Sequence, residues 1–169
     1  IRRWEQLGLT ERWQQRDIAL FGRNSASGTY AYFKQHVLCQ GDFNLRTHQL
    51  AGSSAVVQAV SQTPNAIGYA GIGNAAAGVR VVPLYNAERT AVVAPTPENA
   101  LQGSYPLARV LYLYINKAPA QPLALPEREF LRMVLSSAGQ KFIRQEGYQP
   151  LPADTVLRIR TELELDTDD

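Results

Sequence analysis

The sequence predicts an α/β domain, because segments with strand character alternate with segments with helix character. An apolar run at residues 17–21 is followed by helical periodicity at 27–38, and a second helical pattern at 55–62 is followed by a strand-like run at 66–70. Strands that alternate with helices are joined by crossovers, which build largely parallel sheets covered by helices. We therefore expect a mixed, mostly parallel sheet with helices packed on it.

Capping residues and helix breakers set the expected boundaries of these elements. The helix at 27–38 begins at Ser27, and the helix at 55–62 follows Gly52 and stops before Pro64. The strongest strand signal is a continuous apolar and aromatic run at 107–115. The remaining expected elements are a short helix at 4–9, a strand at 79–85, and helices at 126–135, at 139–146 and from about residue 153.

The composition is that of a globular protein, with 169 residues, 45% hydrophobic and 19% charged. No apolar run is long enough to cross a bilayer. The chain starts without Met or an apolar signal core, so we expect it to begin inside a longer precursor. Its single cysteine, Cys39, rules out an internal disulfide framework and a multi-cysteine metal site, and we expect it to be a buried thiol. No cluster of ligand residues predicts a metal, and no cofactor is expected.

The charges are unevenly distributed. Residues 1–160 hold 17 basic and 10 acidic residues, a net charge of +7, whereas residues 161–169 hold the other five acids and form an acidic tail. The basic residues are scattered, without basic runs or interleaved aromatic residues. Because a nucleic-acid surface concentrates both, we expect no nucleic-acid partner.

The most informative motif is a candidate anion site between the first strand and the first long helix. Ser27, Gly28 and Thr29 stand where the helix begins, so unpaired backbone N–H groups and two hydroxyls converge there. Arg23 precedes them at the strand end and offers a planar fork that matches an oxyanion such as phosphate. The alternative is that Ser27 serves only as a helix cap, which leaves Arg23 without a role.

Two enzymatic interpretations are weaker. The segment 71–76 resembles a dinucleotide fingerprint, but a new strand follows before a crossover helix could form. A hydrolase would need a nucleophile and a base, and no nucleophile-elbow motif is present. The candidates for those roles are Ser25, Ser27, Ser53, Ser54, His36 and His48. We expect no catalytic residues.

Five motifs together resemble the phosphate ABC transporter substrate-binding proteins. The order and spacing of the motifs hold from Trp4 to about Leu151. The motifs are Arg23-x-x-x-Ser27-Gly28-Thr29, Gly52 to Val60, Pro64 to Tyr69, Tyr105 to Arg109, and Gly139-Gln140 followed by Gly147 to Leu151. The resemblance implies a periplasmic binding protein fold of type II, which holds an anion in the cleft between two lobes. It places Arg23, Ser27, Gly28 and Thr29 on the family's phosphate-binding positions.

The resemblance also implies a division of the chain. Residues 1–104 would form a complete second lobe, 105–160 a segment that would complete the first lobe, and 161–169 the tail. The first-lobe loop that supplies the other phosphate contacts has no counterpart before Trp4. Ser25 stands where family members often carry an acid that pairs with the arginine. Gly52 and Ser53 resemble a loop facing the cleft and are not expected to be ligands.

These observations predict a non-enzymatic module that binds inorganic phosphate for an ABC uptake system. The implied partners are phosphate and the ABC permease. The apolar faces of the C-terminal segment lack the first half of their lobe, so we expect them to associate with a second copy of the chain or to pack against the second lobe. The implied location is the periplasm or the outer face of the membrane, attached by an anchor. The alternatives are a sensory or surface-interaction protein that uses the same lobe as a scaffold, and a binding protein for another tetrahedral oxyanion.

Overall fold

The computed structural model describes residues 1–119 and 121–166. The chain divides into two compact units, Ile1–Tyr85 and Asn86–Asp169. Within the described residues, no helix is both long and apolar enough to span a bilayer.

A three-stranded parallel sheet forms the centre of the first unit. Its strands are β1 (Ala19–Arg23), β2 (His48–Leu50) and β3 (Ala66–Gly68). They lie in the order β2-β1-β3, and both neighbours run parallel to β1. Arg23 is paired with Leu50, so β1 and β2 end at the same edge of the sheet. The predicted α/β architecture with a parallel sheet is confirmed.

Helices α1 (Gly28–His36) and α2 (Ser53–Gln62) connect these strands, and short 3₁₀ turns occupy Trp4–Leu7, Glu11–Trp13 and Ile72–Asn74. Val56 of α2 is only 1% exposed. Gly68 of β3 makes this close packing possible, since a Cβ there would lie 3.1 Å from Val56 and 2.9 Å from the carbonyl oxygen of Phe21.

An aromatic stack ties α1 to the segment after β3. The rings of Phe33 and Tyr69 lie 4.0 Å apart at nearly parallel planes, and Phe43 and Tyr30 stack at 4.4 Å. Gly22 of β1 leaves room for Tyr69, because a Cβ at Gly22 would lie 2.5 Å from that ring. The glycine thus lets an aromatic side chain lie flat against the strand that carries Arg23.

The next elements in the chain are β4 (Leu84–Asn86) and β5 (Ala91–Val93), which form a two-stranded sheet, and helices α3 (Pro97–Leu101), α4 (Leu125–Val134), α5 (Ser137–Gln145) and α6 (Ala153–Glu162). The second unit has a small leucine core. Its buried members are Leu123, Leu131, Leu135 and Leu165.

Two expectations about local structure were wrong, and a third was confirmed only in part. Residues 107–115 form no strand, and Val110 to Tyr114 are exposed, Tyr114 by 91%. A strand that is apolar on both faces needs cover on both faces, which the described residues do not supply. Of the strand expected at 79–85, only the last two residues are in a strand, where they begin β4. Cys39 is exposed rather than buried, because α1 ends at His36 and Cys39 lies in a turn with φ +48°.

The expected acidic tail at 161–169 is described only as far as Asp166. Leu165 within it is fully buried in the leucine core, and Arg160 forms an ion pair with Asp166. The hydrogen bond from Arg160 holds the pKa of Asp166 below its ordinary value. Residues 167–169, which contain two of the tail's five acids, lie outside the described residues.

Candidate anion-binding site

The sheet topology places the candidate site at a position where open α/β sheets commonly bind ligands. From β1 the chain crosses through α1 to β2 on one side, and α2 then carries it back to β3 on the other side of β1. Ligands in such sheets bind outside the carboxyl ends of the strands where the connections diverge. Arg23 is the last residue of β1 and therefore lies at this point.

The start of α1 confirms that Ser27 caps a helix. Its buried hydroxyl oxygen accepts a hydrogen bond from the N–H of Thr29 at 3.1 Å, and its carbonyl accepts one from Ala31. Within the described residues, the N–H groups of Gly28 and Tyr30 have no acceptor. The Ser27 oxygen acts as an acceptor in the cap, so its own hydrogen can still be donated to an anion. Capping and anion binding are thus compatible at Ser27.

The Arg23 guanidinium is held by groups that follow β2. Nη1 donates to Oγ of Ser53 at 2.8 Å, and Nη2 donates to the carbonyl oxygen of Ala51 at 2.8 Å. Nε is buried and has no hydrogen-bond partner among the described residues. No ion pair of Arg23 occurs in the part of the chain that the structure describes. The predicted arginine is therefore oriented by neutral groups, with a buried N–H still lacking an acceptor.

Ser53 and Ala51 are the two residues that sequence reasoning missed in this role. Ser53 is the first residue of α2, and its Oγ also accepts a hydrogen bond from the N–H of Gly71 at 3.3 Å. A signal for them existed in the sequence. If β1 and β2 are parallel neighbours, the residues after both strands meet at one edge of the sheet.

Tyr69, the described titratable side chain that contacts Arg23, carries no negative charge. Tyr69 donates from its hydroxyl to the carbonyl oxygen of Arg23 at 3.3 Å, and burial raises the pKa of Tyr69 above its ordinary value. Tyr69 is therefore neutral at pH 7. Asp17 precedes β1 at the opposite end of the strand, and its carboxylate lies 3.7 Å from Arg3 and 3.9 Å from Arg46. Ser25, in the turn after β1, is exposed.

The chemistry of the site is that of hydrogen-bond donation to an anion. Arg23, the Ser27 and Thr29 hydroxyls and the amides at the start of α1 are donors or can act as donors. Among the described residues, no group of three or more His, Cys, Asp or Glu side chains could hold a metal ion.

The fold and the site define a class of protein. Its members are α/β lobes with hydrogen-bond donors for a ligand at the edge of a parallel sheet where the carboxyl ends of the strands lie. A family model described as the PBP superfamily domain matches residues 1–144. The chain belongs to the PBP superfamily.

Three comparisons specify this relationship. The chain is 48% identical over 165 residues to the phosphate-binding protein PstS of Pseudomonas aeruginosa, covering 98% of this chain and 51% of that protein. A second match is a Clostridium perfringens structure described as a phosphate ABC transporter substrate-binding protein with bound phosphate. It is 26% identical to this chain, with a TM-score of 0.67, and the match covers 90% of this chain and 58% of that one. A phosphate transport receptor from Vibrio cholerae is 20% identical with a TM-score of 0.63 over the same shares, which shows the fold alone.

The chain thus spans about half the length of the curated relatives it matches. The resemblance to phosphate ABC transporter substrate-binding proteins, expected from the five motifs, is confirmed by these matches.

Proposed function

We propose that the chain binds inorganic phosphate through Arg23 and the start of α1, as part of the substrate-binding component of a phosphate ABC uptake system. The observation that carries the proposal is the incompletely paired Arg23 guanidinium, whose buried Nε has no acceptor among the described residues and whose two Nη atoms each use only one hydrogen in the described bonds. Buried polar groups in native proteins almost always have a partner, and a missing one indicates a ligand, an ion or a water. A phosphate oxygen is an acceptor that forms a strong, charge-assisted bond with a guanidinium.

Ser27, Gly28 and Thr29 supply the second set of contacts in this proposal. The hydroxyls of Ser27 and Thr29 can donate, and Gly28 is exposed without a side chain, so an oxyanion can approach its N–H closely. The positive end of the α1 dipole adds to the attraction. The names of the relatives support phosphate as the anion, since the Pseudomonas protein is called phosphate-binding and the Clostridium structure contains phosphate.

The role proposed for the whole protein is delivery of phosphate to an ABC permease from the periplasm or from an anchor outside the cell. The site needs no chemistry beyond binding, so we propose no enzymatic activity. We retain 1–104 as the lobe that carries the site and 105–160 as the segment that would complete another lobe. This division rests on the family resemblance.

Titration of the chain with phosphate and with sulfate tests the proposed function. We expect the two anions to bind comparably and weakly, with dissociation constants on the order of 1 mM or about −4 kcal/mol. The reason is that rejecting sulfate requires an acceptor facing the hydrogen of protonated phosphate, whereas the groups proposed to contact the anion, Arg23 and the start of α1, act as donors. NMR titration at matched ionic strength measures both affinities.

The outcomes of this titration separate the alternatives. Absence of shifts at Arg23 and Gly28 with either anion would refute the site. Tight binding of phosphate alone would show a complete, selective site within this chain. Preference for sulfate would favour the other oxyanion-binding function.

The exposed segment Val110–Tyr114 supports a further proposal, the association of two copies of the chain. Its apolar and aromatic side chains are more than half exposed, and such contiguous patches mark interaction surfaces. We expect sedimentation to show a concentration-dependent dimer and Leu113→Lys to shift it to monomer, because a buried unpaired charge opposes association. Gln102→Lys, at an exposed polar position, is the matched control. A monomer at every concentration of the unmodified chain would contradict the proposal.

A further inference from the structure

We infer that Ser53 is a positioning residue for the anion site, which fixes the guanidinium of Arg23 without neutralising it. The expected effect of Ser53 on phosphate affinity rests on the proposed function, whereas the contacts between Ser53 and Arg23 do not depend on it. Ser53 lies 30 positions from Arg23 in sequence, and its Oγ accepts from Nη1 at 2.8 Å.

Two anchors determine the orientation of the guanidinium. The group is planar, so bonds from Nη1 to Ser53 and from Nη2 to the carbonyl of Ala51 fix both the position and the plane of its outer end. The second hydrogens on the two Nη atoms then have fixed directions. An anion meets donors that are already oriented, so less conformational entropy is lost on binding.

The Ser53 hydroxyl is itself held in place. Its oxygen accepts from Arg23 and from the N–H of Gly71 at 3.3 Å, so both acceptor positions are occupied. Ser53 is also the first residue of α2, where the helical backbone restricts its movement. The hydroxyl thus joins three segments, the end of β1, the start of α2 and the loop after β3. Neighbouring Ser54 is exposed and makes no such contact with Arg23.

The neutrality of these anchors has an electrostatic consequence. A carboxylate paired with Arg23 would orient it but would also cancel much of its attraction for an anion. Ser25, which stands where the family resemblance would favour an acid, is exposed, and the described hydrogen bonds of the Arg23 side chain go to Ser53 and Ala51 instead. A hydroxyl and a carbonyl orient the same guanidinium and leave its full charge for the ligand. Ser53 thus orients the guanidinium, as a carboxylate would, but adds no negative charge to the site.

Three variants test this inference. Ser53→Ala removes the anchoring oxygen, and we expect phosphate affinity to fall about tenfold, the usual range for losing a hydrogen bond to a charged group. Ser53→Thr keeps the oxygen and should restore affinity to within about twofold of the unmodified chain. Ser54→Ala, the same change one residue along α2, is the matched control and should leave affinity unchanged.

A second measurement does not depend on phosphate. In the phosphate-free chain, NMR of the Arg23 guanidinium should resolve the two Nη groups, because the anchors slow rotation about the Cζ–Nε bond. Ser53→Ala should merge these signals, while Ser53→Thr and Ser54→Ala should leave them separate. Separate signals in Ser53→Ala would overturn the inference.

The two measurements distinguish the ways in which the proposals can fail. If the unmodified chain does not bind phosphate, the proposed function fails, and the Nη signals still decide whether Ser53 positions Arg23. If the chain binds phosphate and Ser53→Ala binds it equally well, the positioning inference fails while the proposed function stands. The positioning inference would also be contradicted if Ser53→Ala lowered phosphate affinity by the same factor in the Arg23→Lys variant as in the unmodified chain. A residue that acts through Arg23 must be energetically coupled to Arg23.

Discussion

Replacing Arg23 with lysine is expected to weaken phosphate binding about ten- to a hundredfold, although the net charge of the protein is unchanged. The guanidinium donates one hydrogen from each Nη, to Ser53 and to Ala51, and keeps a second hydrogen on each Nη for a ligand. A lysine ammonium is a single point of charge and cannot span both anchors while presenting further donors in a fixed plane. Loss of charge-assisted hydrogen bonds costs about 1.5–3 kcal/mol, which corresponds to this range of affinity.

The matched control for this substitution is Arg16→Lys. Arg16 is exposed and precedes β1, at the end of the strand opposite to the site. The Arg16→Lys variant should bind phosphate with the same affinity as the unmodified chain when both are measured by NMR titration at the same ionic strength. Equal affinities for Arg23→Lys and Arg16→Lys would show that Arg23 contributes only its charge, and would remove it from the list of direct ligands.

Replacing Gly139 with alanine is expected to destabilise the second unit by about 2–3 kcal/mol, the cost typical of overpacking a close contact. A Cβ at this position would collide with the carbonyl oxygen of Met133 and lie 2.7 Å from that of Val134. These are backbone atoms at the end of α4, so no side chain can move aside. The hydroxyl of Ser136 donates to Met133, and the Gln140 amide donates to Val134 at 2.9 Å, so both carbonyls are held in place.

The control for Gly139→Ala is the same substitution at Gly71. A Cβ at Gly71 would be 3.6 Å from the nearest atom, and the backbone φ of −65° suits any residue. We expect the urea midpoint of Gly71→Ala to stay close to that of the unmodified chain, and that of Gly139→Ala to fall clearly. In an unobstructed helix the same change would stabilise by up to about 1 kcal/mol. A midpoint for Gly139→Ala at or above that of the unmodified chain would contradict the close packing of α4 and α5.

The elements that sequence reasoning placed well are those specified by local signals. Apolar periodicity and the Ser27 cap located α1, and the break at Pro64 located the end of α2, because each depends on residues within a few positions of one another. The failure at 107–115 has the opposite cause. An apolar run has strand propensity, but a strand forms only against a neighbour, and the described residues provide none for this run.

The sequence by itself determined the ingredients of the candidate site, Arg23 at the end of a strand and Ser27, Gly28 and Thr29 at the start of the next helix. Their proximity is local, since only a short turn separates them. Only the tertiary structure decided how Arg23 is oriented, because Ser53 and Ala51 reach it through the parallel pairing of β1 with β2. Contacts between residues about 30 positions apart depend on which strands are neighbours and in what register. Periodicity and capping carry no information about that choice, so the orientation of the arginine could be found only in the folded chain.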